Sequence, residues 1–90
     1  MTQRHRYNTL PPLGLWSQRG LCVGQPPELW DDGAEDLDYA RDTCLRCPVR
    51  RECLADAMAV EQGQAASERG MIRGALDPEQ RVALERMEAA

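Results

Sequence analysis

Three of the chain's four cysteines fall within the run Cys44-Leu45-Arg46-Cys47-Pro48-Val49-Arg50-Arg51-Glu52-Cys53, and the fourth, Cys22, stands upstream. A Cys-x2-Cys knuckle such as Cys44–Cys47 turns two thiolates toward one point. Pro48 suits the first position of a helix, which would carry Cys53 about five residues on, a rise of roughly 7.5 Å. The N-terminus of that helix would aim free N–H groups and a partial positive charge at the same place, where anionic thiolates are stabilised. Cys22 would close the shell from the other side and tie the N-terminal segment to the helix. We read Cys22, Cys44, Cys47 and Cys53 as ligands of one metal centre.

A chain like this needs such a staple. Its 90 residues allow one domain at most. A chain of that size buries only about 60–65% of the surface its unfolded form exposes. Phenylalanine is absent, the aromatics are Tyr7, Trp16, Trp30 and Tyr39, and much of the 42% apolar content is alanine. Alanine contributes little burial, so a metal site or two disulfides must supplement the core. The N-terminus has no signal-peptide pattern and no stretch is apolar enough to span a membrane. The expected setting is therefore the reducing cytoplasm, where clustered cysteines bind metal or do redox work.

The net charge of −4 has the wrong sign for unaided phosphate binding. All eleven positive charges are arginines, which favour specific bidentate or stacked contacts over diffuse attraction.

Along the chain, residues 1–15 show no period and are expected to form a flexible arm, with His5 solvated rather than a ligand. The ordered domain is expected over 16–88. Trp16–Cys22 suits a short helix broken at Gly20, and Glu28-Leu29-Trp30 one turn with Pro27 near its start. Asp36 or a neighbour caps a helix over Leu37–Asp42 that ends before Cys44. The strongest helical pattern is Val49–Glu61, with Cys53, Ala57 and Val60 on one side and Gly63 to end it. Gly70–Leu76 reads as a turn with Arg73 exposed at its tip. Asp77, Pro78 and Gln80 form a capping box for a last helix reaching about Met87, with Ala83, Leu84 and Met87 turned inward. With no strand pattern competing, the fold class is all-α, a small single domain of about four short helices. Trp30 reads as core. Arg46, Arg50 and Arg51 are either a solvated face or charges that tune the metal centre.

Four chemistries remain open at this point. A [4Fe–4S] cluster uses four thiolates, and its size suits ligands several residues apart. Zinc also accepts four thiolates, although structural zinc more often pairs two short knuckles and this chain has one. Two disulfides allow three pairings. A thiol–disulfide oxidoreductase using Cys44 and Cys47 would want a βαβ context that is missing. Spacing puts the iron–sulfur cluster ahead of zinc without deciding between them.

The cysteine pattern with Cys47-Pro48-Val49-Arg50 and Glu52-Cys53-Leu54 resembles that of the WhiB-like proteins of actinobacteria and their phages. Trp16, the segment from Cys22 to Trp30, and Leu76-Asp77-Pro78-Glu79-Gln80-Arg81 fit as well, so the resemblance covers roughly residues 16–84. It implies a helical domain wrapped around an oxygen- and nitric-oxide-sensitive [4Fe–4S] cluster. It also implies a transcription factor rather than an enzyme, although apo forms in the family have been assigned disulfide-reductase activity. The implied partners are region 4 of the primary sigma factor, RNA polymerase holoenzyme and promoter DNA. The implied partner contacts here are Trp16, Ile72, Arg73 and Gly74. Two departures stand out. Met71-Ile72-Arg73-Gly74-Ala75 replaces the family's Gly-Val/Ile-Trp-Gly-Gly, with arginine in place of tryptophan. After Arg81 the only further cation is Arg86, among Glu85 and Glu88, so direct DNA binding is expected to be weak.

Overall fold

The computed structural model describes residues 16–89; the expected arm over 1–15 lies outside the described residues. Helices α1 (Leu37–Arg46), α2 (Arg50–Val60) and α3 (Pro78–Ala89) are joined by loops carrying 3₁₀ turns at Ser17–Arg19, Pro27–Trp30 and Ala66–Glu68. No strand forms among the described residues; one isolated bridge pairs Arg73 with Leu76.

Local chemistry sets the helix ends. Asp36 caps α1, its carboxylate accepting the Tyr39 N–H at 3.1 Å. The helix runs through Cys44 to Arg46 rather than stopping before Cys44, and Pro48 is what ends it. Proline pushes the residue before it out of helical space, and Cys47 is extended at φ −74°, ψ 132°. Pro48 is thus a terminator of α1 and not the first residue of α2, which starts at Arg50 with Val49 as its cap residue. Gly63, at φ 85°, turns the chain after α2. The capping box of α3 forms as read: Asp77 Oδ1 accepts the Gln80 N–H at 2.8 Å and Gln80 Oε1 accepts the Asp77 N–H at 2.9 Å.

The apolar core is small. Trp30, Ala40 and Ile72 form its buried cluster, with Leu29, Leu37 and Cys44 packed against it. Leu37, Ala40 and Cys44 share one face of α1 by helical spacing. Three residues expected on apolar or inward faces are exposed instead. Met87 is 73% exposed and Val60 68% exposed, and Ala83 also faces solvent. The inward stripe of α3 is instead led by Pro78 and Arg81.

Arg81 has no exposed surface. It donates to both carboxylate oxygens of Glu61, at 2.8 and 3.1 Å, and to the carbonyls of Gly70, Met71 and Leu76 at 2.7–2.9 Å. Arg69, also buried, donates to Gln64 O and pairs with Glu85. The bond from Arg69, aided by the Gly63 N–H, holds the Glu85 carboxyl below the usual glutamate range. A charged network thus does the packing that apolar side chains do in a larger domain.

Arg81 anchors both feet of a strained segment. Arg73 and Leu76 exchange two backbone hydrogen bonds at 3.0 Å around Gly74 and Ala75, which sit at φ 57° and 74°. Positive φ at both central positions makes this a type I′ turn. Glycine is obligatory at 74 on a second count: a Cβ there would lie 2.6 Å from Leu54 Cβ on α2. Gly74→Ala is expected to destabilise the domain by about 2–4 kcal/mol through strain and overpacking. Ala75→Gly relieves a left-handed alanine and is expected to stabilise by about 0.5–1 kcal/mol. Denaturant midpoints check both; a shift of opposite sign for either would contradict this description of the turn.

Candidate metal centre

The four cysteines arrive from four different pieces of chain. Cys22 lies in the loop after Gly20, Cys44 in the last turn of α1, Cys47 in the Pro48 linker and Cys53 in the first turn of α2. The Cys44–Cys47 knuckle closes on itself, the Cys47 N–H donating to Cys44 O at 3.1 Å, and the Arg50 N–H returns to Cys47 O at 3.3 Å. The Cys53 N–H bonds to Val49 O at 2.9 Å, so it is part of the helix rather than free to face the site.

All four thiols line one cavity of about 280 Å³, together with Trp16, Trp30 and the 71–74 segment. No disulfide joins any pair, and Cys22 is exposed while the other three are half-buried. Burial, followed by the negative charges of Cys53, Cys44 and Cys47, pushes the Cys22 thiol up. Four thiolates within reach of one another resist joint ionisation unless a cation neutralises them. A soft, multi-sulfur donor set around a space this size suits a metal–sulfur body that each wall can reach. Among the described residues, no group of three or more His, Cys, Asp or Glu side chains converges as a ready site for a single metal ion.

Trp30 is core, as expected, and does more than fill space. Its indole N–H donates to Cys44 Sγ at 3.3 Å, and its carbonyl accepts the Ile72 N–H at 2.6 Å. One residue therefore joins the Cys44 sulfur to the 71–76 turn. The Cys22 loop is held by Gln25, which donates to Leu21 O at 2.9 Å and accepts the Tyr39 hydroxyl at 2.6 Å. Tyr39 in turn stands edge-on to Trp30 with ring centroids 6.0 Å apart. Nothing in the spacing of the sequence pointed to Gln25 or to the Trp30–Cys44 bond.

The arginines divide. Arg46 pairs with Asp42 on an exposed face, and Arg50 donates to the Gly74 carbonyl at 3.0 Å. Arg73 is not the exposed tip residue expected: its side chain is 28% accessible and bridges to Asp56 at 3.0 Å, with the Cys53 sulfur at 3.9 Å. Burial works against its charge, but the Cys53 thiolate and Asp56 carboxylate outweigh that and raise its pKa. Of the residues expected to meet a partner, Trp16, Ile72 and Gly74 are buried in the chain. No helix among the described residues is long and apolar enough to cross a membrane.

Residues 16–84 match the family model described as "Transcription factor WhiB". The chain is also similar to the probable transcriptional regulator WhiB7 of two Mycobacterium tuberculosis strains. In each case it is 36% identical over 58 residues, which is 63% of this chain and 52% of the relative. The chain thus spans about half the length of the curated relatives it matches. No solved structure is a significant match. Because the family model covers most of the sequence and includes all four cysteines, the chain belongs to the WhiB family of transcription factors.

Proposed function

We propose that this chain is a cytoplasmic, non-enzymatic regulator that holds one [4Fe–4S] cluster on Cys22, Cys44, Cys47 and Cys53. It acts chiefly by docking on region 4 of the primary sigma factor within RNA polymerase holoenzyme. The observation that carries this reading is the convergence of four thiols, drawn from separate chain segments, on one cavity of about 280 Å³. Bound there, such a cluster supplies a one-electron centre sensitive to oxygen and nitric oxide. The protein's own contribution is positional. Pro48 turns Cys47 out of the helix that carries Cys44, Gln25 and Tyr39 hold the Cys22 loop, and Trp30 donates to the Cys44 sulfur.

The 71–76 turn packs on α2, lines the site through residues 71–74, and is the surface we assign to the sigma factor. Met71 is exposed on it, while Ile72 and Gly74 shape it from beneath. Cluster state then controls docking, because the ligands and the turn share Trp30 and α2 as supports. DNA contact is assisted rather than autonomous: on α3 Arg81 is turned inward, leaving Arg86 beside the exposed Glu79 and Glu88.

Co-purification under anaerobic conditions tests this. The cluster-loaded chain is expected to retain sigma region 4 through a size-exclusion column, and the Cys47→Ser variant to lose it. Equal retention by both, or none by the loaded chain, contradicts the proposal.

A further inference from the structure

Arg73 places its guanidinium between two anions on one face of α2. Its Nη2 lies 3.9 Å from Cys53 Sγ and 3.0 Å from Asp56 Oδ2. Cys53 and Asp56 are three residues apart, and therefore neighbours on the helix surface. Arg73 comes from the facing turn. Asp56 and Arg73 are 26% and 28% exposed, a setting where solvent and salt screen charge only in part. Of the arginines expected to tune the site, Arg46 pairs with Asp42, and Arg50 lines the cavity but gives its Nε–H to the Gly74 carbonyl.

We infer that Arg73 is a tuning residue of the metal centre. It donates to the Cys53 ligand sulfur, raises the reduction potential of the site, and, paired with Asp56, fastens the 71–76 turn to α2. The inference rests on the cluster reading above. A cation donating an N–H to a ligand thiolate draws charge off the sulfur and favours the state that carries one more electron. A nearby carboxylate has the opposite effect. Arg73 and Asp56 are therefore partners in one salt bridge with opposite influence on the potential.

That opposition separates tuning from support. Arg73→Gln and Asp56→Asn break the same ion pair, so a purely structural role would move every property the same way in both. Electrochemical titration of the anaerobically loaded protein is expected to show a lower midpoint potential for Arg73→Gln and a higher one for Asp56→Asn. Arg73→Lys keeps the charge and should stay nearer the parent. Hydrogen exchange at residues 71–76 of the loaded protein should quicken by roughly fivefold in Arg73→Gln, the consequence of one lost hydrogen bond. Shifts of the same sign in both variants, or an unchanged potential in Arg73→Gln, overturn the inference. If Arg73→Gln does not fold, a lowered or unaltered potential in Asp56→Asn does so by itself. A parent protein that carries no iron and sulfide removes the cluster reading and this inference together. A loaded parent with an unaltered Arg73→Gln removes the inference alone.

Discussion

Arg81→Ala is expected to destabilise the domain by about 3–5 kcal/mol, the range for breaking a buried charged pair by removing one partner. Arg81 is fully buried and gives five hydrogen bonds, two to Glu61 and three to the carbonyls of Gly70, Met71 and Leu76. Its loss leaves Glu61 buried with Arg69 at 3.6 Å as its remaining cation, and strips the donors from three carbonyls. Those carbonyls flank Met71 and Ala75, both at positive φ without being glycine. Strained backbone persists only where its surroundings over-determine it. The variant should therefore lose order in residues 70–76 first, and with it one wall of the cysteine cavity. Urea unfolding gives the magnitude and hydrogen exchange the location. Arg86→Ala, an exposed site on the same helix, is the control and should shift stability by no more than about 0.5 kcal/mol. Similar midpoints for the two variants would contradict the assigned role of Arg81.

Removal of the proposed cluster is expected to have the larger effect. The apolar cluster comprises three buried residues with three more packed against it, whereas small domains live on net stabilities of about 5–15 kcal/mol. Thiolate ligation of a structural metal contributes on the order of 10 kcal/mol to folding. The four cysteines join the Cys22 loop, α1, the Pro48 linker and α2, so losing the centre unties most of the described chain at once. Chelation or air oxidation should abolish a cooperative thermal transition in near-ultraviolet circular dichroism. The helices, each 10–12 residues long, are too short to hold alone in water. An apo protein that melts cooperatively at the loaded protein's temperature would show that the core suffices.

What the sequence revealed was whatever is encoded locally. Asp36 and the Asp77/Gln80 pair cap their helices because a cap needs partners only three residues away. The four cysteines could be grouped by spacing, and Trp30 fell in the core because little else could fill it. What stayed hidden was long-range polar chemistry. Apolar periodicity assigned Ala83, Leu84 and Met87 to the inside of α3, yet the inward stripe is led by an arginine whose partner Glu61 is twenty residues away. Nothing in the spacing marks a charge as buried when its compensation comes from another element. The same blindness hid Arg73, which read as an exposed turn tip and is pinned to Asp56 and Cys53 on α2. Pro48 shows a subtler ambiguity: a proline between two helices suits the start of one and the end of the other, and here its effect on Cys47 decided the matter.

Cys22, Cys44, Cys47 and Cys53 are proposed to share one cluster. Iron and acid-labile sulfide analysis of protein purified without oxygen tests it most directly. About four iron and four sulfide per chain are expected, lost together when any one of the four cysteines is changed to serine. A colourless protein carrying one zinc per chain, or one whose iron survives the Cys22→Ser change at full stoichiometry, would contradict it.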